Sequence, residues 1–183
     1  IATGYVSHSF TQFITVDDSG RLVTLDHGDA YPRAAVLCQY GQAGNEKFGL
    51  PADYKEVMTF YGAVGDNKTN ASVGGLAVSG SNYLSVLNTA VQDGTAGYSS
   101  ARNIILGVTS QNGLSTKATQ LTRYASNGST SASTPQIVKL SNDRFLILWE
   151  ILTKASWGGF SSSGTLGYVV VDGSGRQVGQ VQT

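Results

Sequence analysis

Phe13-Ile14-Thr15-Val16-Asp17-Asp18-Ser19-Gly20-Arg21-Leu22-Val23-Thr24-Leu25-Asp26 is an apolar run, a polar turn and a second apolar run, and the chain repeats that pattern twice. The counterparts are Leu76-Ala77-Val78-Ser79-Gly80-Ser81-Asn82-Tyr83-Leu84-Ser85-Val86-Leu87-Asn88 and Ile137-Val138-Lys139-Leu140-Ser141-Asn142-Asp143-Arg144-Phe145-Leu146-Ile147-Leu148-Trp149. β-Branched and aliphatic residues on either side of a Ser, Asn, Asp and Gly turn make each a β-hairpin. Phe13 stands 63 residues before Leu76, Leu76 stands 61 before Ile137, and the step from Ile137 through Thr183 round to Phe13 is 59. A regular period of this size marks an architecture whose units bury their apolar faces on one another.

Outward from each hairpin, a third strand is expected at residues 33–39, 102–109 and 167–172, all rich in residues that suit a buried pleated surface. A more polar fourth strand is expected at 54–61, 118–125 and 177–183. Helical periodicity is absent apart from a turn expected near 53–58. The fold class is therefore all-β: a β-propeller of four-stranded antiparallel blades, three of them in this chain. Residues 1–183 read as one repeat domain, with repeats approximately at 10–72, 73–133 and 134–183, the last completed by 1–9. A closed ring takes typically about four to eight blades. The expectation is a head-to-tail homodimer forming a six-bladed ring, or a part of a longer propeller. The alternative is a β-sandwich with a duplicated hairpin.

Twelve Lys and Arg balance twelve Asp and Glu across 183 residues, with no block of either sign, which excludes the basic footprint of a nucleic-acid binder. Only 13% of residues are charged, and the wealth of Gly, Ser, Thr, Asn and Gln suits a secreted or cell-surface protein. Cys38 is the single cysteine and sits in an apolar run, where a small buried hydrophobe is expected. No apolar stretch approaches the ~20 residues that span a bilayer. Ile1 has no initiator Met or signal-peptide pattern around it and reads as the start of a mature or excised chain.

The stretches His8-Ser9-Phe10-Thr11-Gln12-Phe13, Asp26-His27-Gly28-Asp29-Ala30-Tyr31-Pro32-Arg33 and Ser141-Asn142-Asp143-Arg144-Phe145-Leu146-Ile147-Leu148-Trp149-Glu150 resemble repeat segments of bacterial secreted and cell-surface propeller proteins. The resemblance covers most of the chain and implies the propeller fold. It carries no catalytic residue across, because propellers host many unrelated activities.

In an up-and-down blade, the loop between strands two and three shares a face with the crossover to the next blade. That face is expected to hold residues 4–9, 26–33, 66–72, 92–101, 126–133 and 152–164. It gathers the chemistry: His8, Asp26, His27, Asp29, Arg33, Arg102, Glu150 and Trp157, which form the candidate ligand-binding set. Asp26, His27 and Asp29 around Gly28 could converge on a divalent metal, or the two carboxylates could cap the turn and pair with Arg33. No other cofactor is called for. Asn88 and Trp149 or Glu150 occupy the place of Asp26 in the other repeats. Trp157, flanked by glycines, suits stacking on a sugar ring or on a partner, whereas Trp149 ends an apolar strand and belongs to the core. Asn67, Asn70 and Asn127 begin N-glycosylation patterns and imply exposed loops.

A glycosidase would need two carboxylates ~5–10 Å apart, for which Asp26, Asp29 and Glu150 are the candidates. No nucleophile elbow is present, since Gly173-Ser174-Gly175 reads as a hairpin turn. The leading expectation is a non-catalytic extracellular binding or assembly module with a glycan as partner. The alternatives are a carbohydrate-active enzyme, glycosidase or lyase, with carboxylates at the propeller mouth, and a structural surface protein that self-assembles.

Overall fold

The computed structural model describes residues 9–29, 33–42, 53–60, 69–90 and 100–183. They form three antiparallel four-stranded sheets. The first runs β1 (Ser9–Val16), β2 (Arg21–Gly28), β3 (Ala34–Gln42) and β4 (Asp53–Thr59) in spatial order. The second runs β5 (Ala71–Ser79), β6 (Asn82–Ala90), β7 (Arg102–Ser110) and β8 (Thr116–Gln120). In the third, β10 (Gln136–Ser141), β11 (Arg144–Lys154) and β12 (Phe160–Val171) lie side by side, and β9 (Thr130–Ala132) pairs with the far end of β11. The outer strand expected at 177–183 is present only as two bridges, Val171 to Gln177 and Tyr168 to Gln182.

The central sheet shows why the fold is an arc of blades. From Tyr83 to Ala90 every residue of β6 is buried, so both faces of its sheet are covered. Tyr83 and Leu87 pack with Val23, Leu25 and Leu37 of the first sheet. Leu84 and Val86 pack with Phe145, Ile147, Trp149 and Val169 of the third. The first strands meet as well, β5 lying against both β1 and β10. Two successive sheet-on-sheet interfaces around adjoining first strands form a propeller arrangement, whereas a sandwich has one interface.

The outer faces of the terminal sheets differ from the interfaces. On the third sheet Val138, Leu140, Leu166, Tyr168 and Val178 are between 43 and 57% exposed. On the first, Ile14, Thr24, Cys38 and Tyr54 stand in one cross-strand row on the face opposite the second sheet; Ile14 and Tyr54 at its ends are exposed, while Thr24 and Cys38 are buried, Cys38 in a small cluster with Ala34 and Val36.

Three expectations are corrected. Residues 53–58 form strand β4 and no helical turn. The loop expected over 152–164 is a five-residue turn, because β11 runs to Lys154 and β12 begins at Phe160. Within the expected 126–133 loop lies β9. Both stretches are strand because the backbone ladder to β11 holds them, with Ala132 of β9 the one residue among them that enters the hydrophobic core.

Candidate functional site

A cleft of about 420 Å³ opens between the second and third sheets. Arg102, at the start of β7, lines it together with Ser131, Ser133 and Thr134 from the crossover into β10, and Trp157 and Phe160 from the β11–β12 turn. Each wall has a local cause. The turn closes when the Ala155 N–H donates to Gly159 C=O at 2.8 Å and the Gly158 N–H to Ala155 C=O at 3.0 Å, with Gly158 at φ +90°. A left-handed residue after a type I turn favours glycine. The Trp157 ring lies over Gly159, where a Cβ would strike it. Trp157 is consequently held 73% exposed on a tight turn, while Trp149 is 1% exposed and donates from Nε1 to Tyr124 Oη. Ser131 Oγ accepts from the Arg102 backbone N–H at 2.9 Å and Ser133 Oγ from the Glu150 N–H at 2.8 Å. A hydroxyl that accepts from the fold can still donate outward.

From Arg102 a polar path runs to the first sheet. Its Nε donates to Asn70 Oδ1 at 2.7 Å and its Nη1 to Ser72 Oγ at 3.1 Å. The neighbouring Thr69 Oγ1 lies 2.6 Å from His27 Nε2, and the His27 ring meets Phe60 edge-on at 5.0 Å. Burial lowers the His27 pKa to about 4; Asp29 opposes the shift, and Arg102 and Arg33 add to it. The imidazole is neutral at pH 7. A buried histidine that resists protonation while the unfolded chain takes a proton loses stability as pH falls from about 6.5 toward the folded value. Wild-type protein should lose about 2 kcal/mol between pH 7 and 5 from this residue alone. His27→Gln should flatten that part of a stability–pH curve from urea unfolding, and an unchanged curve would contradict a buried neutral His27.

The sequence-selected residues divide into two groups. Arg102 and Trp157 line the cleft. Asp26 and His27 lie in strand β2, where a loop was expected, and Asp29 and Arg33 flank the ends of β2 and β3. All four are buried, and none lines the cleft. Asp26 Oδ2 accepts from Thr24 Oγ1 at 2.9 Å, and Arg33 Nη1 donates to Asp29 C=O at 2.8 Å. Glu150 is in strand β11, accepts from Ser162 Oγ, and also stays outside the cleft lining. His8 lies outside the described residues. Among the described residues no three of His, Cys, Asp and Glu are grouped to hold a metal ion. The Cys38 thiol is pushed up to about 12 by burial and by Asp26, so it stays protonated. Asn70 is buried against Arg102, in place of the exposed loop its glycosylation pattern implied. Asn88 is buried too, its Nδ2 donating to Ala132 C=O.

Sequence reasoning missed Ser131 and Ser133, which look like ordinary linker residues until β9 is seen. No helix among the described residues is long and apolar enough to cross a membrane.

No protein-family model matches the chain, and no curated protein does. Among solved structures it is similar to the GH43 BlXynB protein from Bacillus licheniformis, at 13% identity and a TM-score of 0.48. It is also similar to a point mutant of that protein, at 14% and 0.50. In both cases 96% of this chain is covered but only 34% of the other, so the chain spans about a third of their length. At these identities the likeness concerns the fold alone, and the second match agrees with the all-β propeller arrangement of four-stranded sheets.

Proposed function

We propose that the chain is a non-catalytic, extracellular carbohydrate-binding module whose ligand lies in the cleft between the second and third sheets. The observation that carries this is Trp157, a large aromatic held in water on a tight turn beside a wall of hydroxyls. Among the described residues Trp157 is the most exposed large hydrophobic side chain, 73% against 43–57% for the others, and it lines a cleft with hydroxyls where the others stand on outer sheet faces. A sugar ring offers an apolar C–H face for the indole and hydroxyls for Ser131, Ser133 and Thr134. The fold neighbours are GH43 glycoside hydrolases, which supports a carbohydrate role and also favours the enzymatic alternative. Against catalysis in this cleft stands its lining, which among the described residues contains no carboxylate. A glycan array probed with wild-type protein and Trp157→Ala tests the reading. Binding lost in the variant is expected; equal binding by both, or release of reducing sugar from bound glycans, would overturn it.

Assembly is a second element of the proposal, favoured by the apolar residues exposed on the outer face of the third sheet and on the edge strands of the first. The outer face of the third sheet, with Val138, Leu140 and Tyr168, would receive the outer face of the first sheet of a second copy, with Ile14, Val16 and Tyr54. That contact is head-to-tail, and two copies would close it as a ring. Light scattering at micromolar concentration should report twice the monomer mass. A monomer that persists at tenfold higher concentration would exclude the closed pair and leave the faces to further blades of a longer chain.

A further inference from the structure

We propose that the cleft selects a sugar bearing a carboxylate, a uronic acid or similar acidic residue, and that Arg102 is the side chain that reads the acid group. The inference rests on the carbohydrate reading above. Arg102 is partly buried, and among the described residues its guanidinium bonds only neutral oxygens, those of Asn70 and Ser72. Elsewhere Arg21, Arg144 and Arg176 are paired with Asp17, Asp143 and Asp172. Among the described residues Arg102 has no acidic partner, and the cleft lining supplies none. A partly buried guanidinium without a counter-charge favours the arrival of an anion. Burial accordingly lowers its pKa, though it stays protonated at neutral pH. The two bonds occupy Nε and one Nη1 hydrogen, which leaves N–H groups of the planar fork unpaired. A carboxylate accepts two parallel bonds from such a fork. Arg33 and Asp29 belong to the first sheet, where Arg33 Nη1 donates to Asp29 C=O, and Glu150, whose N–H meets Ser133 Oγ, turns its carboxylate to Ser162 and stays outside the cleft lining. Among the described residues the unmatched charge thus stays at Arg102, whose backbone N–H meets the Ser131 hydroxyl and which shares the cleft lining with Trp157.

Calorimetric titration with trigalacturonate and a hyaluronan tetrasaccharide, each against its carboxyl methyl ester, tests this. At least one acid should bind about tenfold or more tightly than its ester, and the difference should shrink as salt rises. Arg102→Gln and Arg102→Lys should both reduce the preference, the lysine variant less at low salt because it keeps the charge without the fork. Trp157→Ala should weaken acid and ester alike. Esters or other neutral glycans binding as well as the acids would overturn the selectivity and leave the carbohydrate reading standing. If no glycan binds in either form, both are overturned. The acid-to-ester ratio is measured on wild-type protein, so the outcome does not depend on a variant folding.

Discussion

Gly74→Ala should destabilise the protein by about 3 kcal/mol or more, a fall in melting temperature on the order of 6–12 °C for a chain of this size. Gly74 is the extra residue of a bulge in β5, where the pairing steps from Val73–Leu87 to Gly75–Val86. A Cβ there would stand 1.8 Å from the carbonyl oxygen of Pro135, which is backbone and has nowhere to rotate. The clash lies where the first strand of the second sheet meets the start of the third. Relief requires the two sheets to separate, and Pro135 adjoins Thr134 of the cleft wall. The variant should therefore also weaken ligand binding. Thermal unfolding checks the first effect; a melting temperature within 2 °C of wild type would contradict the close approach of the two sheets.

Asp17→Ala should cost about 3–5 kcal/mol, because it removes the acceptor of a buried charged network. Asp17 Oδ1 accepts from the Ser19 N–H, the Ser19 hydroxyl and the Arg21 N–H. Its Oδ2 accepts from Arg21 Nε at 2.9 Å and from Tyr83 Oη at 2.6 Å, and Tyr83 in turn accepts from Gln39 Nε2. One carboxylate thus secures its own turn and ties the first sheet to the second. Burial pushes its pKa up, but the bonds from Tyr83, Ser19 and Arg21 together outweigh that and hold it well below the usual carboxylate range. A depressed folded pKa contributes stability that is complete above the unfolded value of about 4 and is lost as pH falls below it. The gap between wild type and Asp17→Ala should therefore narrow below about pH 4, a range separate from that of His27. Asp172→Ala should cost less. Asp172 repeats the turn through Ser174 and Arg176, yet Arg176 is largely exposed and no described side chain of a neighbouring sheet bonds its carboxylate. Urea unfolding of both variants checks the order, and an equal cost would remove Tyr83 from the explanation.

The three hairpins and the third strands were legible because burial on one or both faces writes apolar residues into them. Leu84, Val86, Ile104 and Leu106 are core for the same reason that they read as strand. The far end of β11, the start of β12 and β9 were not legible: Thr153, Ser161 and Ser162 are exposed and are held by main-chain pairing, which leaves no side-chain pattern. The motif Asp-x-Ser-Gly-Arg occurs at Asp17 and at Asp172, but once between the first and second strands of a sheet and once after the third. The repeat period therefore does not bring the two into register. Of the candidate site, Trp157 and Arg102 could be named as loop and strand-end residues, while Asp26, His27 and Asp29 were drawn in by composition. Their burial answers to packing and to the Thr69 and Thr24 bonds.

The cleft can be tested most directly through its own tryptophan, since the chain has two and only Trp157 is open to water. Iodide should quench Trp157 emission and leave Trp149 almost untouched. Saturating acidic oligosaccharide should protect the quenchable fraction, and the Trp157→Phe variant should show neither quenching nor protection. Iodide quenching that stays the same at every concentration of a glycan that demonstrably binds would place the ligand elsewhere and contradict the cleft as its site.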